Sequence, residues 1–186
     1  MSKLVVIACI LLLAELAAAQ TPSSGNAYLG YSYYNTDFSS FGRGSGLNGW
    51  EASLEGKVIP GLGIVADLGG HYGSANFANP GGTCAIGVNC SPSNESTHIF
   101  DALFGPRFSA SFGKFRPFVE YEFGVSHLST PDLGSSTGFT NAIGGGLDFR
   151  IVRPVAWRVQ VDGVWTHFFD QYQGNVRVST GIVLRF

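Results

Sequence analysis

Eight stretches of this chain alternate apolar and polar residues with a period of two, as strands do when one face meets an apolar phase and the other a polar one. They cover residues 27–34, 47–59, 62–73, 97–110, 115–127, 140–151, 155–168 and 175–186. Short and long connections take turns between them. Pro60-Gly61, Gly113-Lys114 and Arg153-Pro154 mark tight turns, whereas the stretches near 38–46, 74–95, 129–136 and 170–174 read as longer loops. An even number of strands, with one rim short and the other elaborated, predicts an all-β fold: an eight-stranded antiparallel up-and-down transmembrane β-barrel.

The two parities differ sharply in chemistry. One carries Leu29, Tyr31 and Tyr33, then Leu54 and Val58, Ile64 and Leu68, Phe100 and Phe104, Val119 and Tyr121, Ile143 and Leu147, and Trp157, Val159, Val161 and Trp165. The other carries the charges: Glu51, Glu55, Lys57, Asp67, Asp101, Arg107, Arg116, Glu120, Glu122, Asp148, Arg150, Arg158, Asp162, Arg177 and Arg185, with His71 and Gln160. Alternation alone does not decide which face is inside, and a soluble sandwich or lipocalin-like barrel would turn its charges to water. Three features set the apolar face outward. Most of the segments exceed the 9 to 11 or so residues that a tilted transmembrane strand needs. Trp and Tyr lie near strand ends, where membrane interfaces favour them (Tyr31, Tyr33, Trp50, Tyr72, Trp157, Trp165). Glycines such as Gly30, Gly63, Gly105, Gly144 and Gly181 share the charged face, where a narrow lumen needs small residues beside large ones.

Composition supports the same arrangement. Only 13% of residues are charged, against about a quarter in soluble domains, while 26 are glycine and 13% aromatic. On the charged face eight acids meet seven or so bases, so mutual pairing is expected to fill the interior. The lumen of an eight-stranded barrel is only wide enough for side chains, which predicts a plugged polar lumen. Glu120 and Glu122 then serve as partners for lumenal arginines and not as an acid/base pair. A net charge of −2 gives no reason to invoke nucleic acid.

The N-terminus reads as an export signal. Lys3, the apolar run from Leu4 to Leu13 and the small residues Ala17-Ala18-Ala19 predict a cleaved signal peptide over 1–19, leaving 20–186 as one barrel domain exported through the periplasm. The run is too short to span a membrane as a helix. Val6-Ile7-Ala8-Cys9 stands on the wrong side of the apolar run for a lipid-anchor site. Cys84 and Cys90 then remain as the only pair, in the longest loop, and in an oxidising compartment they are expected to form a local disulfide. No metal or other cofactor is implied: neither a nearby His nor a second Cys pair completes a zinc set, and parity turns His71 inward but His98, His127 and His167 outward.

The final stretch, Asn175-Val-Arg-Val-Ser-Thr-Gly-Ile-Val-Leu-Arg-Phe186, alternates strictly and ends on an aromatic residue. It resembles the C-terminal assembly signal of outer-membrane β-barrels, with Ile182, Leu184 and Phe186 as its apolar positions. The whole chain after the signal resembles the small bacterial outer-membrane barrels of the OmpA/OmpX-like class, on its Gly/aromatic strands, paired short turns and terminal Phe186. That resemblance implies a monomer in the bacterial outer membrane, in contact with outer-membrane lipid and lipopolysaccharide, and inserted by the barrel assembly machinery. It further implies a structural or surface-interaction role, adhesion or protection, exerted through extracellular loops on a ligand that the sequence does not identify. Passive passage of small or hydrophobic solutes through a small pore is the alternative. A third reading rests on His127-Leu128-Ser129, which resembles the His-x-Ser of the outer-membrane lipid A deacylase. The acid of that family would fall near Thr140–Asn141, where this chain has none, and the expectation is a protein that is not an enzyme.

Overall fold

The computed structural model describes residues 24–36, 45–77, 93–130, 134–168 and 171–186. They form eight strands: β1 (Gly25–Thr36), β2 (Ser45–Ile59), β3 (Leu62–Phe77), β4 (Ser93–Ser109), β5 (Phe115–Thr130), β6 (Gly134–Val152), β7 (Val155–Phe168) and β8 (Gln171–Arg185). Each pairs antiparallel with its chain neighbour, and β8 returns to β1 to close a barrel. The seam runs in unbroken register from Asn26 opposite Arg185 to Thr36 opposite Asn175. Beyond it, Gly25 and Phe186 exchange backbone hydrogen bonds of 2.8 and 3.1 Å. Closure leaves no sheet edge, so no row of unpaired N–H and C=O groups is presented to lipid.

Local chemistry sets the turns. Gly61 (φ 87°) and Gly113 (φ 63°) occupy the left-handed region, which a residue without Cβ enters at little steric cost. Around Gly113, Phe112 and Phe115 exchange backbone bonds of 2.7 and 3.0 Å, a two-residue hairpin. Register shifts between Lys57 and Ile59 and between Arg150 and Val152 lie beside the other two tight turns.

The apolar parity faces outward on every strand. Leu29, Leu54, Phe104, Val119, Ile143, Val161 and Leu184 all stand exposed, whereas the charged parity is buried, with Glu51, Arg107, Arg158 and Arg177 at 0–1% exposure. In water such a molecule would expose its core and bury its charges; in a bilayer both faces are satisfied.

All four expected loops are shortened by strand, since 45–46, 74–77 and 93–95 are also paired, and the two shorter loops nearly vanish. The stretch 129–136 is mostly strand, with Leu128 opposite Ser136 and Ser129 opposite Ser135, and 171–174 is strand as well, with Trp165 opposite Gly174. Residues 131–133 and 169–170 are all that connect those hairpins, leaving 37–44 and 78–92 as the long connections. Polar and glycine-rich sequence is poor strand former on its own. Here ladder bonds from the neighbouring strand carry it past the apolar belt, where both faces meet water. The expected signal peptide 1–19 and the Cys84/Cys90 pair lie outside the described residues.

Candidate functional site: the barrel interior and its rims

Inward parity brings charges from seven of the eight strands into one column of side chains. At mid-height Arg177 of β8 lies among four carboxylates: Nη1 is 2.9 Å from Asp67, Nε is 2.9 Å from Asp162 and 3.4 Å from Glu51, and Nη2 is 3.7 Å from Glu122. Gln160 ties the group together, its amide donating to Glu51 at 3.2 Å and Asp162 at 3.0 Å. Desolvating these charges costs several kcal/mol per ion, so the cluster persists only because each carboxylate meets a cation or a donor.

Toward the short turns, Arg158 grips Asp148 with two bonds of 2.7 and 3.2 Å, and Arg107 pairs with Glu120 and, at 3.4 Å, with Glu55. The Phe118 ring lies between these arginines, 4.6 Å from the Arg107 guanidinium and 4.5 Å from that of Arg158, while Tyr28 meets Arg158 at 4.9 Å. Stacked cations and ring faces attract where water is excluded. At the mouth Arg116 reaches Glu55 at 2.9 Å, Asn26 donates to the same carboxylate at 2.7 Å, and Arg185 approaches Asp148 at 3.3 Å.

Toward the loop rim the chemistry changes from ionic to neutral polar and then to apolar. His71 Nε2 lies 2.9 Å from the Ser32 hydroxyl and Nδ1 is 3.5 Å from Asp101. Ser126 donates to Asp101 and receives a 2.7 Å bond from Thr140. Beside this layer, Tyr34, Leu47, Ile99, Leu103, Leu128, Ala142 and Val164 form a buried apolar cluster. The Tyr34 ring packs 4.8 Å from that of His71.

Thirteen of the fifteen charges expected on the lumenal face join this column, and two do not. Lys57 and Arg150 make no ion pair among the described residues; both sit at strand ends by the short turns, half-buried, where water reaches them. Sequence reasoning overlooked Phe118, Tyr28, Asn26, Ser32, Ser126 and Thr140. Their parity was the available signal, since each shares a face with recognised charges on its own strand or on the strand paired with it. Ile182, Leu184 and Phe186 all face outward and exposed.

On the outer wall His127 Nδ1 lies 2.7 Å from the Thr137 hydroxyl and is not engaged with Ser129. Register sets Ser129 opposite His98 and Ser135, while Thr140 turns into the lumen. No acid among the described residues completes a catalytic set there.

No family model matches the chain, and no curated protein matches it by sequence. Solved structures do match. Neisserial surface protein A superposes with a TM-score of 0.64 at 10% identity, over 88% of this chain and 96% of that one. The fold is that of the small bacterial outer-membrane β-barrels. Ail, the attachment invasion locus protein of Yersinia pestis, gives a TM-score of 0.56 at 12% identity, covering 89% of this chain and 99% of the other. The outer-membrane protein OprG of Pseudomonas aeruginosa gives 0.56 at 9% identity, over 89% and 97%. At such identities the likeness is one of architecture, and the outward apolar wall makes this chain a membrane-spanning barrel of that architecture.

Proposed function

We propose that the chain is an integral protein of the bacterial outer membrane with a plugged lumen, acting at the cell surface through the connections 37–44 and 78–92. The observation that carries this reading is the Arg177 cluster, in which four acidic side chains from β2, β3, β5 and β7 converge on one guanidinium and occupy the middle of the barrel. An eight-stranded wall leaves little space beyond what side chains fill. Short turns belong to the periplasmic rim and longer loops to the outside, so the two long connections are the surface offered to partners. The attachment invasion locus protein has also been solved with the heparin analogue sucrose octasulfate, and a role in adhesion or surface protection suits a closed barrel of this kind.

A narrow conducting path is the second reading. Both carboxylate oxygens of Glu122 and Nη2 of Arg177 lack a hydrogen-bond partner among the described residues, the kind of position a water file would satisfy. Planar-bilayer recording of the refolded protein separates the two. The plugged barrel gives no stable single-channel currents; steps of open-porin size would overturn it in favour of solute passage.

A further inference from the structure

Charge is segregated along the interior. Around mid-height Arg177 is the cation shared by Glu51, Asp67, Glu122 and Asp162. At the periplasmic mouth the balance reverses. Arg158 and Arg185 share the single carboxylate of Asp148, at 2.7 and 3.3 Å, and Arg150 and Arg153 close by make no ion pair among the described residues. Glu55, the other acidic side chain at this mouth, is already taken by Arg107 and Arg116, and Glu120 by Arg107. Lys57 and Lys114 add further positive charge to the same rim without an ion pair of their own among the described residues.

Three of these arginines converge. Arg150, Arg153 and Arg185 line an open recess of about 270 Å³ together with Pro154 and Phe186. Arg185, which borders the recess, has a buried Nε with no hydrogen-bond partner among the described residues, and its nearest carboxylate is held bidentately by another arginine. Backbone bonds fix the frame: Arg185 N–H donates to the Pro154 carbonyl at 2.9 Å and Arg150 N–H to that of Lys114 at 2.8 Å. Beside the recess the wall is apolar and exposed, with Ile151, Val152, Leu184 and Phe186 turned outward.

We propose that Arg150, Arg153 and Arg185 form a binding site for a phosphate-bearing anion at the periplasmic rim, filled in the membrane by a phospholipid headgroup. Guanidinium forks match the geometry of phosphate oxygens, and three of them supply more donors than one carboxylate accepts. The height suits the same ligand. The recess lies where the apolar wall ends on the side of the short turns, which is where phosphodiesters of the inner leaflet stand, with acyl chains able to run along Phe186 and Ile151. Free phosphate shares the recognition chemistry and lacks the chains.

The test uses the full chain purified from membranes in detergent, with native mass spectrometry following bound dihexanoyl phosphatidylglycerol. Inorganic phosphate and uncharged dihexanoylglycerol serve as competitors. The double variant Arg150→Gln/Arg153→Gln should weaken phosphatidylglycerol binding by about tenfold or more, since two charge-assisted contacts are lost. Lys57→Gln removes one charge from the same rim outside the recess and should leave binding nearly unchanged. Arg150→Lys/Arg153→Lys, which keeps charge and loses the forks, should fall between. Heat-modifiable gel mobility verifies that each variant is folded. Displacement of the lipid by equimolar inorganic phosphate would support the anion site and assign it to soluble phosphate. Equal binding of dihexanoylglycerol, full affinity in the double glutamine variant, or an equal loss in Lys57→Gln would overturn the proposal.

Discussion

The Asp162 carboxylate of β7 occupies the space that a side chain on Gly144 of β6 would fill: the two residues are register partners, and a Cβ built on Gly144 falls on Oδ1 of the acid. Asp162 is not free to swing aside, because Arg177 and Gln160 both hold its other oxygen. Gly144→Ala should therefore cost about 1–3 kcal/mol as an overpacking change. Gly174→Ala is the control, since a Cβ there meets only ordinary contacts with Trp165 at 3.6 and 3.8 Å, and it should be close to neutral. Reversible urea unfolding in lipid or detergent gives both values, and equal stabilities would contradict the crowded-lumen account.

Depth in the membrane should control the cost of a charge on the outer wall. Val161 is 49% exposed midway along β7, whereas Val152 is 58% exposed beside the β6–β7 turn. Val161→Arg should lose about 2–4 kcal/mol and Val152→Arg about 0–1 kcal/mol, following the depth dependence of lipid-facing charges. The same unfolding measurement in lipid vesicles checks this. Similar losses at both positions would mean that the apolar belt does not contact hydrocarbon.

Removing the central cation leaves its four acids without a counter-charge. Arg177→Met should destabilise the barrel by about 3–5 kcal/mol, because four carboxylates would remain desolvated around a neutral side chain. Combining it with Asp67→Asn and Asp162→Asn should recover part of that loss. A double-mutant cycle measures the coupling, and purely additive losses would show that the cluster is not one unit.

Deleting Phe186 should reduce insertion into the outer membrane of cells while the purified chain still refolds. The expectation rests on the outward alternation of Ile182, Leu184 and Phe186 and on the two backbone bonds between Phe186 and Gly25 at the seam. Fractionated membranes probed for folded protein provide the measurement; wild-type levels would deny the terminal residue any part in assembly.

Much of the architecture was written in the alternation. Parity assigned Leu54 outward and Glu55 inward because a strand inverts its side chains at every residue, and Pro60-Gly61, Gly113-Lys114 and Arg153-Pro154 have the chemistry of tight turns. Partner choice was not legible. Arg177 finds Asp67, 110 positions earlier, only once β8 has closed on β1 and the stagger of the strands has fixed which heights face each other. The same limit hid the mouth, where Lys57 and Arg150 share the charged parity but lie beyond the paired column. It also hid Phe118, an apolar residue on a charged face whose place is explained only by the two guanidinium groups on either side of it. Strand ends were misjudged at 129–136 because local propensity says nothing about a neighbour's ladder.

The apolar cluster of Tyr34, Leu47, Ile99 and Leu128 also bears on ionic strength. Counterions screen charges they can approach, and at 0.15 M salt their atmosphere is about 8 Å thick. With this hydrocarbon layer beside the polar residues on the loop side and stacked rings beneath the Arg177 group, dissolved ions have no easy approach to it. The stability of the barrel should then vary little between fresh and saline surroundings, even though its interior is held together by electrostatics.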